Sequence, residues 1–137
     1  MLTSDAEKTI QMGRKLAKRL SRGDVVALYG DLGSGKTTFT KGIGEGLGVK
    51  DPRHINSPSF VLIKEYRGDI PLYHLDLYRL DNMEDIENIA IDEYLYGDGV
   101  TVIEWAEKIK GLLPARHIAV TFKIKGETDR DIDISES

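Results

Sequence analysis

Hydrophobic and polar positions recur along this chain with changing period, and each period predicts an element. Over residues 4–20, Ala6, Ile10, Gly13, Ala17 and Leu20 return every three or four positions and fall on one helical face. Ser4 and Glu7 have the spacing of a capping box, and Gly23 is placed to end the helix. The next segment, Val25-Val26-Ala27-Leu28-Tyr29, is continuously apolar, the pattern of a strand covered on both faces. A glycine-rich turn follows, then a helix over about 36–47 with Phe39, Ile43 and Leu47 as its inner stripe. Gly42, Gly44 and Gly46 each weaken that helix by roughly 1 kcal/mol relative to alanine, so packing and a ligand must help to hold it.

Residues 60–66 and 72–75 read as strands joined through Arg67-Gly68-Asp69, residues 83–95 as a helix, and residues 100–103 as another apolar strand. Residues 117–125 and 130–134 alternate apolar and polar positions. Ile118, Val120, Phe122 and Ile124, then Ile132 and Ile134, share one side, and residues 126–129 make a hairpin between them. The sum is an α/β fold in one domain, residues 1–137, with a mainly parallel central sheet and an antiparallel hairpin at its C-terminal end.

Composition narrows the class. Hydrophobic residues make up 40% and charged residues 31%, as in a soluble globular domain. No cysteine is present, so disulfides and thiolate metal sites are excluded. The polar start and the absence of long apolar runs predict a cytoplasmic protein without a membrane partner. A net charge of −4 argues against a chain that grips nucleic acid by itself. Arg14, Lys15, Lys18, Arg19 and Arg22 cluster near the start, and Asp81, Glu84, Asp85, Glu87, Asp92, Glu93 and Asp98 form an acidic run. Each reads as a solvated helix face or as a docking surface.

The strongest chemical signal is Gly30-Asp31-Leu32-Gly33-Ser34-Gly35-Lys36-Thr37, which matches the phosphate-binding pattern G-x-x-x-x-G-K-[ST] between a predicted strand and a predicted helix. Gly33, Ser34 and Gly35 let backbone N–H groups converge on one anion, and the helix start adds free N–H groups and a positive dipole end. Lys36 reaches the β and γ phosphates, the Thr37 hydroxyl ligates Mg²⁺, and Thr38 approaches the α phosphate. ATP and Mg²⁺ are thus the expected ligands, and the expected fold is a three-layer one of the P-loop NTPase type.

Such a site needs a carboxylate at a strand end. Asp76 and Glu104 both end predicted strands and open on the same crevice in a parallel sheet. One would position the metal and the other orient or deprotonate water; the sequence leaves their order open. The only tryptophan, Trp105, follows Glu104 and packs beside the site, forms part of a partner surface, or sits in the core. His74 reads as a half-buried, hydrogen-bonded strand residue rather than a ligand.

Taken together, the loop with Thr38, then Ser57-Pro58-Ser59-Phe60, His74-Leu75-Asp76-Leu77-Tyr78-Arg79 and Ile103-Glu104-Trp105 resemble the bacterial TsaE (YjeE) ATPases nearly end to end, including Gly13 and Arg130. The resemblance implies ATP binding and hydrolysis coupled to a TsaB–TsaD complex in threonylcarbamoylation of the adenosine beside the anticodon of certain tRNAs. Contact with tRNA would run mainly through that complex. It further implies that Lys36 binds phosphate, that Thr37 and Glu104 hold Mg²⁺, that Asp76 is the second acid, and that Ser59 belongs to a switch segment near the γ phosphate. Arg130 would approach the nucleotide or a partner, or else form a surface salt bridge, and the start of the first helix would approach the adenine. The family's switch loop usually reads Ser-Pro-Thr; Ser59 keeps the hydroxyl and loses a methyl.

Rival readings are a small-molecule kinase, a GTPase and a nucleotide-gated binding module. No arginine pair sits in a plausible lid, and no Asn-Lys-x-Asp guanine signature occurs.

Overall fold

The computed structural model describes residues 1–31, 33–55, 63–78 and 91–136. In chain order these form β1 (Leu2–Thr3), α1 (Ala6–Ala17), β2 (Val25–Tyr29), α2 (Lys36–Gly46), a 3₁₀ turn (Pro52–His54), β3 (Ile63–Tyr66), β4 (Leu72–Asp76), α3 (Ile91–Leu95), β5 (Val100–Glu104), a 3₁₀ segment (Ala106–Leu112), β6 (Ile118–Ile124) and β7 (Arg130–Glu136). Several expectations lie outside the described residues: Leu32, the Ser57-to-Phe60 segment with Ser59, the start of the strand expected at residue 60, and Arg79. So do residues 83–90 of the expected helix and Asp81, Glu84, Asp85 and Glu87 of the acidic run.

Among the described residues the strands form one seven-stranded sheet in the order β1-β7-β6-β2-β5-β4-β3. The centre is parallel: β2 lies between β6 and β5, and β5 pairs with β4. The C-terminal hairpin pairs β6 antiparallel with β7 at one end, as expected. The other end carries a second antiparallel pair, β3 with β4, because the link at residues 67–71 is too short for a parallel crossover.

Both faces of β2 are covered. Val26 and Leu28 pack with Phe39 and Ile43 of α2 and Leu16 and Ala17 of α1. Val25 and Ala27 pack on the opposite face with Ile91, Leu95, Ala106 and Ile109. The result is a three-layer α/β sandwich. Each fully buried Leu, Ile or Phe side chain contributes roughly 1.5–3 kcal/mol to this packing. Two glycines decide how α1 meets α2. A Cβ on Gly13 would lie 2.3 Å from the Phe39 carbonyl oxygen, and one on Gly42 would lie 2.1 Å from that of Ile10.

Local details differ from expectation. The α1 N-cap is Asp5, whose carboxylate accepts from Lys8 N at 2.9 Å; Ser4 instead accepts from Lys8 Nζ. An ionised oxygen is the stronger cap acceptor. The buried face of α1 is Thr9, Gly13, Leu16 and Ala17, with Ala6 exposed, because the Gly13 contact turns that line toward α2. The helix ends before Gly23, which instead donates its N–H to Gly99 O at 2.9 Å in the turn entering β2. Ile124 and Ile134, expected on the same apolar side of the hairpin as Val120 and Ile132, are exposed.

Candidate phosphate-binding cleft

Strand alternation aims the acids. In β4, Leu72, His74 and Asp76 share one face; in β5, Val100, Val102 and Glu104 do. Leu72, Val100 and Val102 belong to the core beneath α1 and α2, so His74, Asp76 and Glu104 face that same side. Asp76 and Glu104 are direct partners in the parallel register, and Leu28 of β2 is the other neighbour of Glu104. Both acids are buried and stand beside the first turn of α2.

The loop between β2 and α2 supplies the opposing wall. Gly33 and Gly35 have φ of 78° and 105°, a left-handed geometry that glycine adopts without a Cβ penalty. Nothing stands within 4 Å of a Cβ built on Gly33. Gly35 caps α2 without a side-chain hydrogen bond, which leaves the helix's first N–H groups to a ligand or water. The Ser34 hydroxyl is buried with no hydrogen-bond partner.

Lys36 is 4% exposed. Its ammonium donates to Gly30 O at 2.6 Å and lies 4.0 Å from the Trp105 ring centroid. Burial pushes the Lys36 ammonium below its ordinary pKa, while the charges of Glu104, Glu107, Asp76 and Asp31 pull the other way. The Thr37 hydroxyl donates to Glu104 at 3.3 and 3.4 Å from its two oxygens. Asp76 Oδ1 accepts from Tyr78 N at 3.0 Å.

Trp105 is, among the described residues, the only non-glycine with positive φ (62°). That backbone costs about 1–2 kcal/mol for an L-residue. It turns the chain sharply after β5 and sets the indole beside Lys36, with Tyr78 at 5.1 Å between ring centroids. Trp105 lies beside the loop and, partly buried, also packs against the core cluster that holds Ile103 and Ile109.

A cavity of about 280 Å³ gathers Gly33, Gly35, Lys36, Thr37, Thr38, Asp76, Glu104, Trp105 and Arg130. Ser34 is buried next to this lining, and Ser59 lies outside the described residues. Arg130 donates from Nη2 to Gly33 O at 3.0 Å and from Nη1 to Gly126 O, Glu127 O and Asp129 O. It therefore binds the hairpin turn to the loop. Ala6 and Thr9 from α1 and Thr128 from the hairpin also line the cavity. Thr128 was not legible in the sequence, since only the β6–β2 pairing carries that turn over the loop.

His74 departs from its expected half-buried state. Its ring is fully buried, with Nε2 2.5 Å from Glu104 Oε2 and Nδ1 without a partner. The signal was its spacing two residues from Asp76.

The cleft's chemistry suits a magnesium polyphosphate. Among the described residues no cluster of three or more His, Cys, Asp and Glu side chains could hold a metal alone. Two carboxylates and a hydroxyl are present instead, and Mg²⁺ is commonly held by one or two carboxylates together with phosphate and water. The uncapped helix start, the orphaned Ser34 hydroxyl and the buried ammonium provide donors for the anion.

The comparisons with known proteins agree on a family. Residues 3–132 match the family model described as threonylcarbamoyl adenosine biosynthesis protein TsaE. The chain belongs to the TsaE family. The tRNA threonylcarbamoyladenosine biosynthesis protein TsaE of Bacillus subtilis is 44% identical, over 95% of this chain and 80% of that one. The TsaE protein of Treponema pallidum is 37% identical, over 98% of both chains. The crystal structure of YdiB from Bacillus subtilis superposes with a TM-score of 0.79 at 40% identity, covering 96% of this chain and 80% of that one.

Much of the basic cluster is engaged within the chain. Arg14 pairs with Glu45 at 3.2 Å, Arg19 pairs with Glu136, and Arg22 donates to the carbonyls of Asp69 and Asp98. Among the described residues no helix is long and apolar enough to cross a membrane.

Proposed function

We propose that this chain binds ATP with Mg²⁺ in the cleft and hydrolyses it slowly until a TsaB–TsaD complex docks. It thereby serves threonylcarbamoyl modification of the tRNA adenosine next to the anticodon, with tRNA itself held mainly by that complex. The observation that carries this reading is the convergence of the Gly30-to-Thr38 segment with Asp76 and Glu104 at the ends of β4 and β5. Membership in a family whose relatives are named for this tRNA modification supports the biological setting.

The residues divide the work by their chemistry. The N–H groups around Gly33, Ser34 and Gly35 and at the start of α2 enclose phosphate oxygens. Lys36 leaves Gly30 and Trp105 to meet the β and γ phosphates, Thr38 approaches the α phosphate, and Arg130 steadies the loop from the hairpin side. Thr37, Glu104 and Asp76 would hold the metal, and one of the two acids would orient the attacking water. Mg²⁺ would supply positive charge to the phosphates. Ser59 is assigned a switch role near the γ phosphate from the family pattern.

Turnover measured with and without TsaB–TsaD tests the proposal. Slow hydrolysis alone that rises when the partners are added is expected; fast hydrolysis indifferent to them overturns it. Lys36→Ala should abolish nucleotide binding, and Glu104→Ala should lose hydrolysis together with the gain that Mg²⁺ gives to binding, while keeping metal-free binding. If Glu104→Ala retained full support of the modification, nucleotide binding without hydrolysis would be the function.

A further inference from the structure

Glu104 is held from two sides, and the two holds differ in kind. On the cleft side Thr37 reaches both carboxylate oxygens at 3.3 and 3.4 Å. On the core side the imidazole of His74 lies 2.5 Å from Oε2, and His74 is fully buried. An ionised carboxylate only accepts hydrogen bonds, so Nε2 is the donor. The other ring nitrogen, Nδ1, has no hydrogen-bond partner. The short contact lies deep in the core and the long ones face the cleft.

We propose that His74 is a positioning residue for metal binding: through its Nε2–H it fixes one oxygen of Glu104, so that the carboxylate stays turned toward Thr37 and the first turn of α2. This rests on the reading of Thr37 and Glu104 as metal-holding groups. Three observations carry it. The spacing of His74 and Asp76 puts the imidazole on the same strand face as the second acid. The β4–β5 register places His74 opposite Val102, one side-chain step below Glu104 on that face. The other ring nitrogen is unsatisfied, so the hydrogen bond to Glu104 is the one that His74 makes among the described residues.

The test uses the full chain and two variants, His74→Leu and His74→Gln. Gln can set an amide N–H near the place of Nε2, and Leu cannot. ADP binding is measured by calorimetry with and without Mg²⁺. Wild type should bind more tightly with the metal. His74→Leu should lose about tenfold to a hundredfold of the metal-dependent gain, with metal-free ADP binding nearly unchanged, and His74→Gln should recover most of it. Nitrogen-15 NMR of wild type should show the proton on Nε2 and a shift of its resonance when Mg²⁺ joins the ADP complex. The inference is overturned if His74→Leu keeps the full metal-dependent gain, if both variants lose ADP equally with and without metal, or if the proton sits on Nδ1. A His74→Leu chain that fails to fold leaves His74→Gln and the NMR measurement to decide. Should wild type bind no ADP at all, the proposed function fails rather than the role of His74.

Discussion

The ammonium of Lys36 rests against the ring of Trp105, 4.0 Å from its centroid, while donating to the carbonyl of Gly30. Both contacts stand in for an anion, since a buried cation takes whatever negative charge the loop offers. A polyphosphate would draw the ammonium off the indole. Trp105 is the only tryptophan, so its emission reports that one event. Titration with ATP and Mg²⁺ is expected to change the fluorescence saturably in wild type and not at all in Lys36→Ala.

The same lysine predicts a proton count. Burial lowers its pKa in the free chain. Folding alone therefore sheds the proton more readily than the unfolded chain does, and stability rises with pH from the lowered value toward the ordinary one of 10.5. Phosphate beside the ammonium acts in the opposite sense and raises its pKa. Above the lowered value, nucleotide binding should take up protons and weaken as pH rises; below it, the lysine contributes no pH dependence. Calorimetry in buffers of different ionisation enthalpy measures the uptake, and binding that takes up no protons above the lowered value would overturn this expectation.

The glycine at the α1–α2 contact gives a prediction of opposite sign to its helix propensity. Alanine in place of a helical glycine ordinarily gains about 1 kcal/mol. At Gly42 the new Cβ would meet the Ile10 carbonyl oxygen at 2.1 Å, and backbone cannot step aside cheaply. Gly42→Ala should cost about 1–3 kcal/mol in denaturant unfolding. Gly111, where a Cβ meets nothing within 4 Å, is the control, and Gly111→Ala should shift stability by less than about 1 kcal/mol.

Arg130 joins two loops distant in sequence through one guanidinium. Arg130→Ala removes those bonds at a partly exposed site, so the stability loss should stay near 1 kcal/mol. The larger effect should appear in nucleotide affinity, because Gly33 loses its anchor. Arg130→Lys cannot reproduce a fork that reaches the turn and the loop at once and should restore little. Thermal unfolding and ADP calorimetry on the two variants separate these effects.

Much of this was legible in the residues. Continuous apolar runs placed β2 and β5, and alternation placed the hairpin. Glu104 and Asp76 were readable as strand-end acids because a parallel sheet opens all its carboxyl ends on one crevice. What escaped were features set by long-range contact. The strand β1 holds two residues, too few for any period, and exists through pairing with β7. The left-handed turn at Trp105 carries no glycine to announce it. His74 gave only its spacing from Asp76, and its bond to Glu104 depends on the register between β4 and β5.

The strand order has a consequence for how the cleft is assembled. β2 stands in the middle, so its loop is bordered by the hairpin on one flank and by the acid-bearing strands on the other. One border is a single late stretch of chain; the other is drawn from two earlier strands. A chain cut short before the hairpin would keep its acids and its loop yet lose an entire wall of the cleft, Thr128 and Arg130 with it.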